Sequence, residues 1–415
     1  MTILETQGLA ARNAGRVLAV AGTAAKNAAL EAAAKAIEAR QDEILAANAE
    51  DLAAAKAAGM RPALVDRLAL DEGRIAGIVE GVRQVAALPD PIGQVVKMET
   101  RPNGLTIGKR RVPLGVIGII YEARPTVTTD TAALCLKSGN CVVLRGSRAA
   151  LHSNTALVSA MKEALKKEGF LSEAIQFIPD TSREGAQAMM KLNGLIDVLL
   201  PRGGAGLIAS VVQNATIPVI ETGTGNCHIY VEKTADLAMA ADIVRNAKCS
   251  RPSVCNAAES LLVDEAVAAE FLPLCAEALR PWKVTLYGCP QTQAILPEAL
   301  PAAEQDYFAE YLDYKMSVKV VSGVEEAVRH INRYGTHHSD AICTRDPAAA
   351  QAFLDGVDSA AVYVNASTRF TDGGEFGFGC ELGISTQKLH ARGPVGLKEL
   401  TSYKYCVTGS GQVRE

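Results

Sequence analysis

Hydrophobic and polar positions follow several different periods along this chain of 415 residues. Up to about residue 90, apolar positions recur at helical spacing in an alanine-rich sequence, which predicts an amphipathic helical layer. The ranges 95–100 and 105–112 instead alternate apolar and polar residues around Asn103-Gly104, which predicts a β-hairpin. Charged side chains line both strands, and a two-stranded ribbon is marginal alone, so we expect it to add to a neighbour such as another subunit.

From residue 115 onward, short apolar strands alternate with helical stretches. This alternation predicts parallel βαβ units in a doubly wound sheet, followed by a second α/β domain. Residues 401–408 resemble an edge strand. The predicted strands between the hairpin and that edge are 115–121, 141–144, 175–177, 197–200, 219–220, 228–231, 260–263, 283–286, 317–321, 340–344 and 361–365.

Composition and charge argue against several classes of function. With 42 Lys+Arg against 46 Asp+Glu, the net charge is −4, and no basic excess favours nucleic acid. The N-terminus lacks a basic stretch followed by an apolar one, and the apolar runs are too short to span a bilayer. The ten cysteines are scattered without a C-x-x-C pair, as expected of reduced thiols. We therefore expect a cytoplasmic protein with no nucleic-acid or membrane partner.

Cys255 is the candidate nucleophile. It lies in a polar stretch, 246–256, shortly before the predicted strand 260–263. Lys248 and Arg251 lie nearby in sequence, and their charges would stabilise its thiolate. A buried loop cysteine beside a structural arginine has the same residue types, so these alone do not decide between the two interpretations.

Two turns that follow predicted strands are candidate nucleotide contacts. Gly203 and Gly204 open a helix, where backbone N–H groups suit a phosphate, although a tight strand–helix turn without a ligand fits equally well. The other turn carries Arg145, Ser147 and Arg148 at the strand end where open α/β sheets bind ligands. Arginine in place of an acidic residue there favours a 2′-phosphate, and hence NADP over NAD.

Two further groups of residues have weaker patterns. Glu221 ends a short predicted strand and is a candidate general base, although a surface turn residue is the commoner outcome. His330, His337 and His338 lie close in sequence but lack the C-x-x-C or H-E-x-x-H frame of zinc sites. We predict no metal site.

Four segments carry a family resemblance: YEARPTVTTD at 121–130, RPSVCN at 251–256, the stretch 321–342, and GFGCELG at 377–383. Together they resemble the aldehyde dehydrogenase superfamily over nearly the whole chain. Within it they are similar to the γ-glutamyl phosphate reductases, also called glutamate-5-semialdehyde dehydrogenases. Glu221 and Cys255 lie 34 positions apart, which matches the superfamily's spacing of general base and nucleophile.

The resemblance implies an aldehyde dehydrogenase-like α/β fold with a Rossmann-type cofactor domain, an α/β catalytic domain and a small β oligomerisation module. Copies of the same chain are therefore expected partners. The implied divisions are 1–93 and 113–232 for NADPH binding, 233–365 for catalysis, 366–397 for a return to the cofactor domain, and 94–112 with 398–415 for oligomerisation.

The resemblance also implies roles for single residues. Glu310 stands where the superfamily holds the nicotinamide ribose. Arg145 takes the place of a cofactor-binding lysine, and Arg148 that of a ribose-binding glutamate in NAD-preferring relatives, which implies NADPH/NADP as cofactor. The superfamily's oxyanion asparagine has no counterpart at 121–125, which leaves the N–H of Cys255 as one candidate donor.

The implied reaction is the NADPH-dependent reduction of L-glutamyl 5-phosphate to L-glutamate 5-semialdehyde through a Cys255 thioester, in proline biosynthesis. Arg251 is a candidate partner for the substrate's phosphate or α-carboxylate, because a guanidinium fork fits either. Water activated by Glu221 would hydrolyse the thioester, so Glu221 relays protons or only caps its turn. Association with glutamate 5-kinase is left open.

Three alternatives remain at this point. The chain is another acyl reductase, for instance one that uses acyl-CoA, or a hydrolytic aldehyde dehydrogenase of the same superfamily. A third alternative is a non-catalytic binding or structural protein on this scaffold. Retention of Cys255, Arg145, Arg148 and Glu310 argues against the third.

Overall fold

The computed structural model describes residues 1–414, which form two compact units. Unit 1 contains Met1–Glu221, Gly377–Gly383 and the described residues from Val395 onward. Unit 2 contains Thr222–Phe376 and Ile384–Pro394. Residue 415, the last of the predicted 398–415 segment, lies outside the described residues.

Helices alternate with strands through most of the described chain. The helices are α1 (Ile3–Leu18), α2 (Thr23–Ala39), α3 (Gln41–Ala57), α4 (Pro62–Leu68), α5 (Glu72–Ala87), α6 (Pro125–Lys137), α7 (Leu151–Lys167), α8 (Arg183–Met189), α9 (Ala205–Asn214), α10 (Leu237–Cys249), α11 (Glu265–Leu279), α12 (Pro290–Ile295), α13 (Glu304–Phe308), α14 (Val324–Tyr334) and α15 (Pro347–Gly356). The strands are β1 (Val95–Thr100), β2 (Thr106–Pro113), β3 (Val116–Tyr121), β4 (Cys141–Arg145), β5 (Ile175–Phe177), β6 (Val198–Arg202), β7 (Cys227–Val231), β8 (Ala258–Asp264), β9 (Thr285–Gly288), β10 (Leu300–Pro301), β11 (Lys315–Val321), β12 (Ser339–Cys343), β13 (Ala361–Val364), β14 (Ile384–Ser385), β15 (Gly393–Pro394) and β16 (Thr401–Thr408).

The N-terminal layer of unit 1 is helical, as its apolar spacing predicts. A capping box starts α1, where Thr2 Oγ1 accepts from Glu5 N and the Glu5 carboxylate accepts from Thr2 N. Asp71 caps α5 by accepting from Arg74 N. Helix α2 packs against α5 and α7 through a buried face that includes Ala33 and Ile37. None of the helices in residues 1–414 is both long enough and apolar enough to cross a membrane.

The core of unit 1 is a parallel sheet with strand order β5-β4-β3-β6. Every residue of β3 and β4 is buried, which explains their continuous apolar sequence. Because the strands are parallel, their carboxyl ends meet at one edge. That edge holds the turn after Arg145 and the turn after Arg202.

A separate antiparallel sheet in unit 1 joins β1, β2 and β16. The predicted hairpin is confirmed, and its neighbour is the C-terminal strand of the same chain, paired with β2 from Thr401↔Pro113 to Thr408↔Thr106. Exposed apolar side chains remain on this sheet, among them Met98, Tyr405 and Val407. The predicted pairing of the hairpin with the strand at 401–408 is observed. The role of this sheet in oligomerisation stays a prediction.

Unit 2 is a doubly wound parallel sheet with strand order β10-β9-β11-β8-β7-β12-β13. Neighbouring residues of β7 point to opposite faces. Ile229 joins a core with Phe271 of α11, whereas Tyr230 joins another with Phe353 of α15. Buried side chains on both faces of this sheet confirm the predicted second α/β domain.

Two predicted domain divisions and one predicted strand were wrong. Residues 219–220 form only a single bridge, Leu199↔Val219, and β7 belongs to the sheet of unit 2, where it pairs with β8 and β12. Unit 1 therefore ends its first segment at 221 instead of 232. The predicted return segment 366–397 is divided between the units, because β14 and β15 pair within unit 2. Short apolar runs do not reveal which sheet they join.

Candidate active site

Cys255 lies on the short connection between α10 and β8, which we call the nucleophile loop (residues 250–256). The cysteine is half-buried. Its carbonyl oxygen accepts a hydrogen bond from the thiol of Cys227, at 3.1 Å. A Cβ on Gly225 would lie 1.5 Å from the same oxygen, so only glycine allows this approach. The start of β7 therefore fixes the backbone of Cys255 from one side.

Asn256 fixes the nucleophile loop from another side. Its side-chain nitrogen donates to the carbonyl oxygens of Thr371 at 2.9 Å and Arg369 at 3.3 Å. The hydroxyl of Thr368 donates to the carbonyl oxygen of Asn256 at 2.8 Å. Asn256 is buried, and these bonds tie the residue after the nucleophile to the turn that follows β13.

Arg369 lies across this loop. Its guanidinium donates to Asn256 Oδ1 and, at 3.2 Å, to the hydroxyl of Ser250. Sequence reasoning missed Arg369 because 113 residues separate it from Asn256. It is also absent from the segments that carry the family resemblance. Arg251 is exposed in the same loop.

Lys248 does not have the role that its sequence position suggested. It is fully buried and forms an ion pair with buried Glu259, at 2.6 Å. Burial lowers the pKa of Lys248 and raises that of Glu259 to about 7. An unpaired buried ammonium would be very costly, so its charge is compensated by Glu259 within the fold. The proposed stabilisation of the Cys255 thiolate by Lys248 is therefore wrong.

Glu310 of unit 2 is hydrogen-bonded to the glycine that contacts the backbone of Cys255. Its carboxylate accepts from the N–H of Gly225 at 2.7 Å. Two residues later, the N–H of Leu312 donates to Glu259 at 3.0 Å. The predicted ribose-binding glutamate is thus held next to the glycine that packs on the backbone of Cys255.

The turn after β4 in unit 1, which we call the β4 turn (residues 145–154), contains unpartnered buried polar atoms. Within residues 1–414, Arg145 Nε, Ser147 Oγ and Asn154 Nδ2 are buried and find no hydrogen-bond partner. A Cβ on Gly146 would lie 2.6 Å from Asn154 Nδ2, so glycine keeps this space open. Buried polar groups are normally paired, so these atoms fit a polar ligand such as a nucleotide.

Arg145 and Asn154 are themselves held in place. Arg145 Nη2 donates to the carbonyl oxygen of Ser182 at 2.6 Å, and burial lowers the pKa of the guanidinium. Asn154 Oδ1 accepts from Thr128, whose hydroxyl is also 2.7 Å from the hydroxyl of Tyr121. Arg148 is exposed. The sequence singled out Arg145, Ser147 and Arg148 but missed Asn154.

The predicted phosphate turn after β6 has an acidic partner. The N–H of Gly204, the N-cap of α9, donates to the carboxylate of Glu122 at 3.2 Å. A Cβ on Gly203 would lie 2.6 Å from the carboxyl carbon of Glu122. A phosphate at this helix end must displace that carboxylate.

Of the remaining predicted residues, His338 lies beside the support of the nucleophile loop, with its Nδ1 3.7 Å from the sulfur of Cys227. Glu221 ends the first segment of unit 1, and its role stays a prediction. His337 Nδ1 is 2.6 Å from the carbonyl oxygen of Asp358, while His330 is buried among aromatic rings and burial lowers its pKa to about 2. Within the described part of the chain, no group of three His, Cys, Asp or Glu residues has an arrangement that could hold a metal ion.

Comparisons with known proteins show the family. The aldehyde dehydrogenase family matches residues 8–294. The γ-glutamyl phosphate reductase of Carboxydothermus hydrogenoformans is 57% identical over 404 residues, which cover 97% of each chain. This chain belongs to the aldehyde dehydrogenase family.

Other relatives extend the similarity to the full length. The γ-glutamyl phosphate reductase of Enterococcus faecalis is 57% identical over 414 residues, 100% of this chain and 99% of the relative. The crystal structure of the Thermotoga maritima γ-glutamyl phosphate reductase superposes with a TM-score of 0.98 at 49% identity, and each chain is covered completely. The resemblance and the aldehyde dehydrogenase-like fold are confirmed. Family membership makes this chain an oxidoreductase that acts on aldehyde groups.

Proposed function

We propose that this chain reduces L-glutamyl 5-phosphate to L-glutamate 5-semialdehyde and phosphate, with NADPH as reductant and Cys255 as nucleophile. The position of Cys255 carries the proposal, because the half-buried thiol stands on a loop whose backbone is fixed by Cys227 and Asn256. The names of the full-length relatives support the substrate. The reaction would serve proline biosynthesis, in the cytoplasm.

In this mechanism the Cys255 thiolate attacks the acyl carbon, a C–S bond forms and the C–O bond to phosphate breaks. The N–H of Cys255 is a candidate donor to the oxyanion of the tetrahedral intermediate. When bound, NADPH supplies the hydride that reduces the thioester. The resulting thiohemiacetal releases the aldehyde and restores the thiolate. Glu221 relays a proton or only caps its turn.

The cofactor assignment rests on two groups of residues. In unit 1 the unpartnered atoms of Arg145, Ser147 and Asn154 would bind the adenosine end, and exposed Arg148 would pair with the 2′-phosphate of NADP. Gly203 and Gly204 would bind the pyrophosphate after Glu122 moves away. In unit 2, Glu310 would hold the nicotinamide ribose.

Two kinds of protein partner belong to the proposal. The β1-β2-β16 sheet exposes Met98, Tyr405 and Val407, and such side chains on a ribbon suit contact with a second copy of this chain. Glutamate 5-kinase is a further candidate partner, because it would make the labile acyl phosphate.

The test runs the reaction backward. NADP⁺ reduction is followed at 340 nm with glutamate 5-semialdehyde and phosphate, coenzyme A or neither acyl acceptor, for the wild type, Cys255→Ala and the control Cys406→Ala. We expect phosphate-dependent activity that falls by about 10⁴-fold or more in Cys255→Ala and is unchanged in the control. Activity independent of phosphate would indicate a hydrolytic aldehyde dehydrogenase, and preference for coenzyme A another acyl reductase. Full activity in Cys255→Ala would refute the mechanism.

A further inference from the structure

Two arginines lie at the nucleophile loop. Arg251 is part of the loop, and Arg369 reaches it from the turn after β13 by donating to Ser250 and Asn256, the residues that flank Arg251 and Cys255 in sequence. Burial lowers the pKa of Arg369, the charge of Arg251 lowers it further, and the charge of Cys255 raises it. The two guanidiniums and the thiol therefore share one electrostatic environment.

No carboxylate within 1–414 forms an ion pair with either guanidinium. The carboxylate of Asp372 affects the pKa of Arg369, but its Oδ1 accepts from the N–H groups of Gly374 and Glu375. Lys248 is already compensated by Glu259. The half-buried guanidinium of Arg369 and the exposed guanidinium of Arg251 thus give the nucleophile loop a positive charge that no ion pair in the described chain compensates, which suits an anionic ligand.

We propose that Arg369, with Arg251, forms a subsite beside Cys255 that binds an anionic group of the substrate, either its phosphate or its carboxylate. This inference rests on the proposed function. L-Glutamyl 5-phosphate has two such groups, the acyl phosphate and the α-carboxylate, and a guanidinium fork binds either by paired N–H donors. Ser250 and Asn256 hold the guanidinium of Arg369 in place before the substrate binds. Lysine has no planar pair of donors, so it should replace Arg369 only in part.

The kinetic test uses Arg369→Gln and Arg369→Lys in the full chain, with Arg329→Gln on α14 as a control for a lost exposed arginine of unit 2. In the reverse reaction, we expect Arg369→Gln to raise KM about 10- to 100-fold for one anionic reactant. An increase for phosphate assigns the acyl phosphate group, and an increase for the semialdehyde assigns the α-carboxylate. Arg369→Lys should restore part of the loss. Unchanged KM values for both reactants would overturn the subsite.

A second measurement separates this inference from the proposed function. Cys255 is alkylated with anionic iodoacetate and with neutral iodoacetamide, and the ratio of the two rates reports anion attraction without any cofactor or turnover. Arg369→Gln should lower that ratio several-fold while the iodoacetamide rate stays within about twofold. If phosphate-dependent turnover were absent but the ratio fell, the subsite would stand and the substrate assignment would fail. An unchanged ratio would refute the subsite even in an active reductase.

Discussion

The β4 turn of unit 1 and the nucleophile loop of unit 2 differ in how their buried polar groups are satisfied. In the β4 turn, Arg145 Nε, Ser147 Oγ and Asn154 Nδ2 find no partner within 1–414. In the nucleophile loop, Asn256 uses its side-chain nitrogen, its side-chain oxygen and its carbonyl oxygen. The β4 turn leaves these polar atoms for a ligand to pair with, whereas Asn256 is already paired within the protein.

Each unsatisfied buried polar group costs about 1–3 kcal/mol of stability, which a ligand can recover as affinity. Substitutions in the β4 turn should therefore lower cofactor affinity more than folding stability. Substitutions of the buried groups that anchor the nucleophile loop should instead lower folding stability.

The largest effect is expected at the buried ion pair next to the nucleophile loop. Lys248→Met leaves Glu259 buried without its partner, which should lower the free energy of unfolding by about 3–5 kcal/mol. The double variant Lys248→Met/Glu259→Leu should recover most of that loss. Urea unfolding followed by circular dichroism measures both. A single variant as stable as the wild type would show that the loop is not anchored by this pair.

A smaller and different effect is expected in the β4 turn. Arg145→Met removes a desolvated guanidinium, so KM for NADPH should rise about 10- to 100-fold while the thermal midpoint stays near the wild-type value. Initial rates at varied NADPH, with a melting curve for each variant, check both statements. A large loss of stability with an unchanged KM for NADPH would show that Arg145 stabilises the fold and does not bind the cofactor.

Buried polar atoms without a hydrogen-bond partner do not by themselves identify a ligand site, and His330 is an example. Both of its ring nitrogens are buried without a partner in 1–414, but they lie among Tyr307, Tyr334 and His228. Burial lowers its pKa to about 2, so the folded protein keeps it neutral while the unfolded chain binds a proton below about pH 6.5. Stability is therefore complete above pH 6.5 and falls as pH decreases, by about 1.4 kcal/mol per unit.

His330→Phe should remove this acid-dependent loss, about 2 kcal/mol between pH 6.5 and pH 5. Unfolding free energies of both proteins at pH 7 and pH 5 give the difference. An equal acid loss in wild type and variant would assign the sensitivity to other groups.

The smallest effect concerns the exposed arginine of the β4 turn. Arg148→Gln should lower the preference for NADP over NAD by about tenfold, because a solvent-exposed charge pair with the 2′-phosphate is worth little more than 1 kcal/mol. The ratio of kcat/KM for the two cofactors measures it, with Arg16→Gln on α1 as a control. An unchanged ratio would remove Arg148 from cofactor recognition.

The sequence predicted the fold well where periodicity was strong. The helical layer, the hairpin and nearly all buried strands are confirmed, because local spacing determines those elements. It failed for β7 and for residues 366–397, because sheet membership depends on contacts between distant segments. A five-residue apolar run looks the same in either sheet.

Some residues of the candidate site could likewise be predicted from the sequence, and others could not. Cys255, Arg145 and Ser147 could be selected from residue type and position beside a predicted strand. Lys248 was misread, since only the fold reveals that Glu259 lies 2.6 Å from it. Arg369 and Asn154 were missed because their significance lies in contacts that span more than 25 residues of sequence.

The proposed reaction depends on a thioester at Cys255, which can be trapped and identified. The wild type is incubated with glutamate 5-semialdehyde and NADP⁺ without phosphate, quenched in acid, digested and analysed by mass spectrometry. We expect a glutamyl group on the peptide that contains Cys255, and its loss when phosphate is added before the quench. An unmodified Cys255 peptide, or an adduct that phosphate does not remove, would contradict the proposed reaction.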